Sequence, residues 1–306
     1  MSEFTSEDGM EYHMWWDSLS EFDGELENLC SRANGTAWHQ YKTNAGGDQW
    51  GRSTMSWFGA SSYNAAVDKV RNGSPELRQL LEERVEKLKC AVDLATVEAV
   101  TIEVRRRKRS RQDYGDTLDI HRVWGGQLDK AWERPTRRTV LAPTQRYATI
   151  YADLSMVARY SYEHSLWRAA TVYCIYEMLT RMGINTEVWS GQSGHGMHCS
   201  GPYKHWQGVC IKRYTDVLND EHLAVMLSGT FFRSFGFGML FASKYKVYPH
   251  LGFPYKGLVK PLRDRQEAGE RVFRVGDALD ETGAVQTLKS IVEQLKEEYR
   301  KLGEVA

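Results

Sequence analysis

Asp153 and Ser155 are two oxygen-bearing side chains just beyond the run Tyr147 to Ala152, whose apolar, β-prone composition predicts a buried strand. A carboxylate and a hydroxyl at the carboxyl end of such a strand can hold a ligand. They can equally accept backbone N–H bonds and cap the segment that follows. A second group is His195, His198 and Cys199 in GHGMHC, with His205 close behind. Imidazole and thiolate are zinc ligands, and a Cys/His pair is also the start of a nucleophile, so a metal-dependent hydrolase is one alternative. The segment has no C-x-x-C partner and no third orienting residue at a fitting spacing, which makes a flexible Gly-rich connection the simpler reading. A third group, Arg105, Arg106, Arg107, Lys108, Arg109 and Arg111, puts six basic residues in seven positions. Each guanidinium offers a fork to a phosphate, so a nucleic-acid-associated factor is the other alternative. No aromatic residue is interleaved for base stacking, and a charged linker or a guarded strand edge explains the run more simply. No P-loop, no G-x-G-x-x-G after a strand and no G-x-S-x-G is present.

The elements that must position these residues follow from periodicity. After Asp153 a helix is predicted over Ser165 to Met182, with Leu166, Ala169, Ala170, Tyr173, Tyr176 and Leu179 at helical spacing and Gly183 at the C-cap. INTEVWS then gives a second strand, and strand–helix–strand with a right-handed crossover sets the two strands parallel. GVCIKRYTDVL alternates as a third strand, NDEHLAVML begins a helix, and Pro249, Pro254 and Pro261 mark an excursion. ERVFRV is a short strand, and Val285 to Leu302 a closing helix. Upstream, Met14 to Leu26 fits a short amphipathic helix, and residues 33–55 read as loop. Trp57 and Phe58 suggest a strand, Ser61 or Ser62 caps a helix closed by Asn72-Gly73, and Pro75 opens a helix running to about Leu94. Cys90 and Cys174 fall on apolar helix faces, as buried thiols do. Asp116 to Trp132 suggest a capped helix broken at Gly125-Gly126. The expected organisation is an ill-defined segment over 1–56, a helical extension with the basic stretch over 57–136, and an α/β domain over 137–306.

Lys plus Arg equals Asp plus Glu, at 40 each, so no global charge draws the chain to nucleic acid or to an acidic membrane. No apolar run reaches the length of a membrane span. The opening MSEFTSEDGMEY has neither a basic nor an apolar leader region, and the 5 cysteines are scattered, so a reducing, cytoplasmic setting is expected.

GDTLDIHRVWGGQLDKAWERPTRRT followed by YATIYADLS resembles the approach to the von Willebrand factor A (VWA) domain of the cobaltochelatase-subunit and nitric-oxide-reductase-accessory type. There a G-D-x-L-D segment and a basic stretch precede a strand ending in D-x-S-x-S. SWFGASSYNAAVDKVRNG, INTEVWS, CIKRYTDVLNDEHLAVML and FFRSFGFGML are similar to VWA-like proteins carried by phages and prophages, so the likeness runs from about position 57 onward. The resemblance implies a Rossmann-like α/β sheet with flanking helices, preceded by a mainly helical extension. It also implies a protein-interaction module rather than an enzyme, with a MoxR-type AAA+ ATPase as partner and, if phage encoded, a place in the host cytoplasm. By the same resemblance a metal-ion-dependent adhesion site would hold Mg²⁺ (or Mn²⁺ or Ca²⁺), a hard cation that takes oxygen ligands. Asp153 and Ser155 match its first two positions, Thr230 stands for the second-loop Thr, and Asp277, with Asp280 as a rival, for the third-loop Asp. The motif's last Ser is replaced by Val157, which offers no oxygen, so the site is degenerate.

Overall fold

The computed structural model describes residues 2–5, 11–25, 59–92, 109–112, 117–135, 147–156, 160–198, 201–236, 258 and 260–305. In chain order the first half gives β1 (Ser2–Thr5), β2 (Glu11–Trp16), α1 (Tyr63–Asn72), α2 (Pro75–Ala91), β3 (Arg109–Gln112), β4 (Thr117–Leu118), α3 (Ile120–Trp124) and β5 (Trp132–Pro135). The second half gives β6 (Tyr147–Asp153), α4 (Leu166–Arg181), β7 (Asn185–His198), β8 (Gly201–Lys212), α5 (Asp220–Met226), α6 (Gly229–Phe231), α7 (Lys260–Glu267), β9 (Arg271–Val275) and α8 (Glu281–Val305). The chain forms two units: Met1–Asp93 with Gln145–Ile291, and Leu94–Thr144 with Val292–Ala306.

The larger unit is built on β6. Every residue of β6 from Ala148 on is buried, as befits a strand covered on both faces. It pairs in parallel with β7 on one side and β9 on the other, and α4 makes the β6-to-β7 crossover. The full order is β1-β2-β8-β7-β6-β9, with β7–β8 an antiparallel hairpin, β8–β2 parallel and β2–β1 antiparallel. This is the expected α/β, Rossmann-like architecture. Alternation along β7 assigns the helix layers: Ser190 donates to the Met226 carbonyl of α5, while its neighbour Trp189 packs with Leu262 of α7. Those helices therefore cover opposite faces. α2 packs on α4 and α5. It buries Leu77, Leu81, Val85 and Leu88 along one stripe and starts as predicted, with Ser74 as N-cap and Pro75 in its first turn. Lys89 of α2 pairs with Glu177 of α4 at 2.8 Å.

Several expectations are corrected. The helix expected over 14–26 gives way to strand β2 and a helical stretch at 19–25 only. Pairing with β8 on one edge and β1 on the other outweighs a weak helical periodicity there. The boundaries at 56 and 136 shift accordingly, since the N-terminal strands and helices α1 and α2 belong to the sheet unit. The GQSGHGMH stretch, expected to be a loop, continues β7 into the long hairpin. Its glycines mark close approach instead of turning: a Cβ on Gly191 would lie 2.3 Å from the Gln207 carbonyl oxygen, and one on Gly194 2.3 Å from the His205 ring. Cys90 is exposed, whereas Cys174 is buried as expected. The pair Trp57 and Phe58 lies outside the described residues.

In the smaller unit, the helix expected over 116–132 is only α3, ending at Gly125 and Gly126 (φ 72°). β3, β5 and β4 form a three-stranded antiparallel sheet around it, with β3 at an edge. Ile120, Trp124 and Leu128 are exposed. Among the described residues no helix is long and apolar enough to cross a membrane.

Candidate functional site

The chain leaves β6 toward β7 and returns through β9 on the other side, so the carboxyl end of β6 is a topological switch point. Asp153 ends β6 there and is fully buried. Its Oδ1 accepts from the Ser155 backbone N–H at 3.1 Å, and its Oδ2 accepts from Ser193 Oγ at 2.6 Å and from Arg274 Nη2 at 2.7 Å. Ser155 is tied to the same neighbour: its Oγ donates to the Ser193 carbonyl at 2.7 Å and accepts from the Ser193 N–H at 3.0 Å. A hydroxyl thus replaces one residue of strand ladder and fastens the loop after β6 to β7. Both residues stand at the carboxyl end of β6, the position in the chain expected from the sequence.

Two arginines complete the site. Arg274, on β9, has 15% of its side chain exposed. Burial works against its charge, but the Asp153 carboxylate outweighs that and raises its pKa. Arg168, on the first turn of α4, is fully buried. It donates from Nε to the Gly276 carbonyl and from Nη2 to the Ser155 carbonyl, both at 2.8 Å, and so ties the ends of β6 and β9 together. Its Nη1 is buried and makes no hydrogen bond. Burial pulls the Arg168 pKa down to about 10, against the pull of Asp153, which leaves it charged at neutral pH. Burial and then Asp153 push the Tyr151 hydroxyl well above the usual tyrosine range.

The remaining residues that the resemblance implies lie apart. Asp277 is exposed, in the loop after β9, where its charge is felt by Arg168 and Arg274. Asp280 accepts from Gly283 N–H at 2.7 Å, which caps the start of α8. Thr230 is buried on α6 against Gly59 and Tyr162, and its Oγ1 makes no hydrogen bond. This set does not fit a hydrated divalent cation. Both Asp153 oxygens already have donors, and the cations around them are guanidinium groups. Beside the site, Leu154, Gln192, Gln207, Phe231 and Phe232 line a small, partly open, mainly apolar cleft.

The other candidates divide between described and undescribed residues. His195 and His198 lie on β7, opposite Lys204 and Gly201, and Cys199 lies outside the described residues, as do the side chains of both histidines. His205 is buried with its ring over Gly194. Among the described residues no three His, Cys, Asp or Glu side chains are grouped as metal ligands. Arg109 and Arg111 lie on edge strand β3, while Arg105, Arg106, Arg107 and Lys108 lie outside the described residues.

A second polar cluster sits nearer the amino end of β6. Glu270 accepts from Thr149 Oγ1 and from the Tyr214 hydroxyl, and Arg265 of α7 pairs with buried Glu187 while lying 3.0 Å from Thr149 Oγ1. Arg265 also stacks over Trp189, 5.5 Å from the ring centroid. Burial and the bond to Glu270 raise the Tyr214 pKa.

A family described as Domain of unknown function (DUF7192) matches residues 8–301. The chain belongs to that family. No curated protein and no solved structure matches it. The match takes in both units.

Sequence reasoning missed Ser193, Arg168 and Arg274. The signal for the arginines was a charge inside a buried pattern: Arg168 interrupts LWRAATV, and Arg274 interrupts RVFRV. Ser193 was hidden by reading its glycine-flanked segment as a loop.

Proposed function

We propose that this protein is a protein-interaction module of VWA-like type that docks a partner on the face formed by the carboxyl ends of β6 and β9. The observation that carries this reading is the fixed state of Asp153. Three donors hold its carboxylate, and its charge is spent on shaping a strand-end surface. A carboxylate held by three donors serves to fix the loop after β6 and the end of β9 in place. The partner suggested by the resemblance is a MoxR-type AAA+ ATPase, and the setting is the cytoplasm, that of the host if the chain is phage encoded.

The test is binding of a purified MoxR-type ATPase to the immobilised protein, compared with Asp277→Lys, which reverses an exposed charge at the rim of the site. Saturable binding weakened by about tenfold or more in the variant is expected. An absence of saturable binding, or equal binding by the two proteins, would remove the reading.

A further inference from the structure

Arg168 is an anomalous group in the sheet unit. It is fully buried, its hydrogen bonds go to two backbone carbonyls, and among the described residues no carboxylate lies within ion-pair distance of it. Its Nη1, also buried, has no acceptor. Leaving a buried charged donor unmatched is costly, and such groups are normally paired. Fastening the ends of β6 and β9 uses only Nε and Nη2, so that role leaves Nη1 unexplained. The second guanidinium, on Arg274, is fixed by Asp153 and partly open to solvent. Among the described residues, buried Asp153 and Asp277, which is exposed at the rim, are the carboxylates whose charge acts on both arginines.

We infer that the switch-point site takes an oxyanion, a carboxylate or a phosphate group, directly on Arg274 and Arg168 and without a divalent cation. Guanidinium suits this because its planar fork matches both kinds of anion. Arg274 meets the ligand at the mouth, and Arg168 supplies the donor that lacks an acceptor. Asp153 does not repel the ligand strongly, because its own charge is shared among Ser155 N–H, Ser193 and Arg274. The inference names a ligand chemistry for the docking face proposed above and rests on that reading only for the biological source of the anion.

The experiment is thermal melting of the whole chain in sodium phosphate, sodium acetate and sodium chloride at equal ionic strength, repeated for Arg274→Gln and Arg168→Gln. Near-UV circular dichroism confirms that each variant folds. A rise of roughly 2–4 °C in phosphate or acetate over chloride is expected for the wild type, and its loss in Arg274→Gln. A response to phosphate alone would indicate a phosphate ligand, and a response to both anions a general oxyanion receiver open to acidic side chains. Should Arg168→Gln not fold, the partly exposed Arg274 carries the test. Equal melting in all three salts, or a shift that survives in Arg274→Gln, would overturn the inference, the second marking an adventitious ion only. A Mg²⁺-dependent shift in the wild type that vanishes in Asp153→Ala would overturn it too. Binding of the ATPase with no anion effect sinks the inference alone, while an anion effect without ATPase binding sinks only the docking reading.

Discussion

The strand β6 carries a charged cluster toward each end, and the two are built differently. Toward its amino end, Thr149, Tyr214, Glu270, Arg265 and Glu187 alternate donors with acceptors, and Arg265 meets carboxylates on both sides. At its carboxyl end, Asp153 pairs with Arg274, while Arg168 bonds two backbone carbonyls and its Nη1 is left without an acceptor. The first cluster is a closed structural network that fastens α7 to the sheet. The second is incomplete on its own terms. Burial of charge therefore does not by itself mark a functional site in this molecule; in the oxyanion reading proposed above, the unmatched donor at the switch point does.

The sharpest way to break this contrast is Asp153→Ala. It removes the carboxylate that pairs with Arg274 and whose charge acts on the fully buried Arg168, and should cost about 3–5 kcal/mol in urea unfolding. Arg265→Ala in the closed network, where the arginine is partly exposed, should cost only about 1–3 kcal/mol. Equal losses would mean that the two clusters are alike. Gly191→Ala attacks the open site through the backbone, because Gly191 stands opposite Asp153 in the ladder and its new Cβ would press on the Gln207 carbonyl. A loss of about 1–3 kcal/mol is expected, with weaker anion response.

A pH effect is expected on β2. Burial lowers the pKa of His13 below its ordinary 6.5, with Glu11 opposing. Its folded-state pKa lies under its unfolded one, so stability is complete above about pH 6.5 and declines as the pH falls toward the folded value. Melting curves from pH 8 to 5 should show that decline, flattened in His13→Gln. The smallest effect is a contrast in thiol reactivity. Burial pushes Cys174 up to about 12, and burial with Glu187 raises Cys210 as well, whereas Cys90 is exposed. Ellman's reagent should label Cys90 in the native protein and reach the other two only on unfolding.

What could be read from the sequence divides along physical lines. α2 and α4 were legible because their apolar spacing, Pro75 and Gly183 are local signals. β6 was legible as an apolar run, and with it Asp153 and Ser155. β2 was not, because what makes Glu11 to Trp16 a strand is a neighbour far along the chain. The β7–β8 hairpin was misread where Gly191 and Gly194 make room for a facing carbonyl and a histidine ring, a purpose that local rules mistake for turning. Arg168 and Arg274 were overlooked because arginine is usually solvated, and only the fold shows these two turned inward.

The placement of β2 also has a consequence for how the chain is made. Glu11 and its partner Lys204 on β8 are 193 positions apart. At an elongation rate of roughly 5–20 residues per second, the N-terminal strand must wait on the order of 10–40 s for its neighbour to leave the ribosome. During that interval Met14 and Trp16, both buried in the finished sheet, lack their cover. Long-range parallel pairing is also slow to form. Strands β1 and β2 are therefore a segment through which a nascent chain is exposed to chaperone capture or to pairing with a second copy.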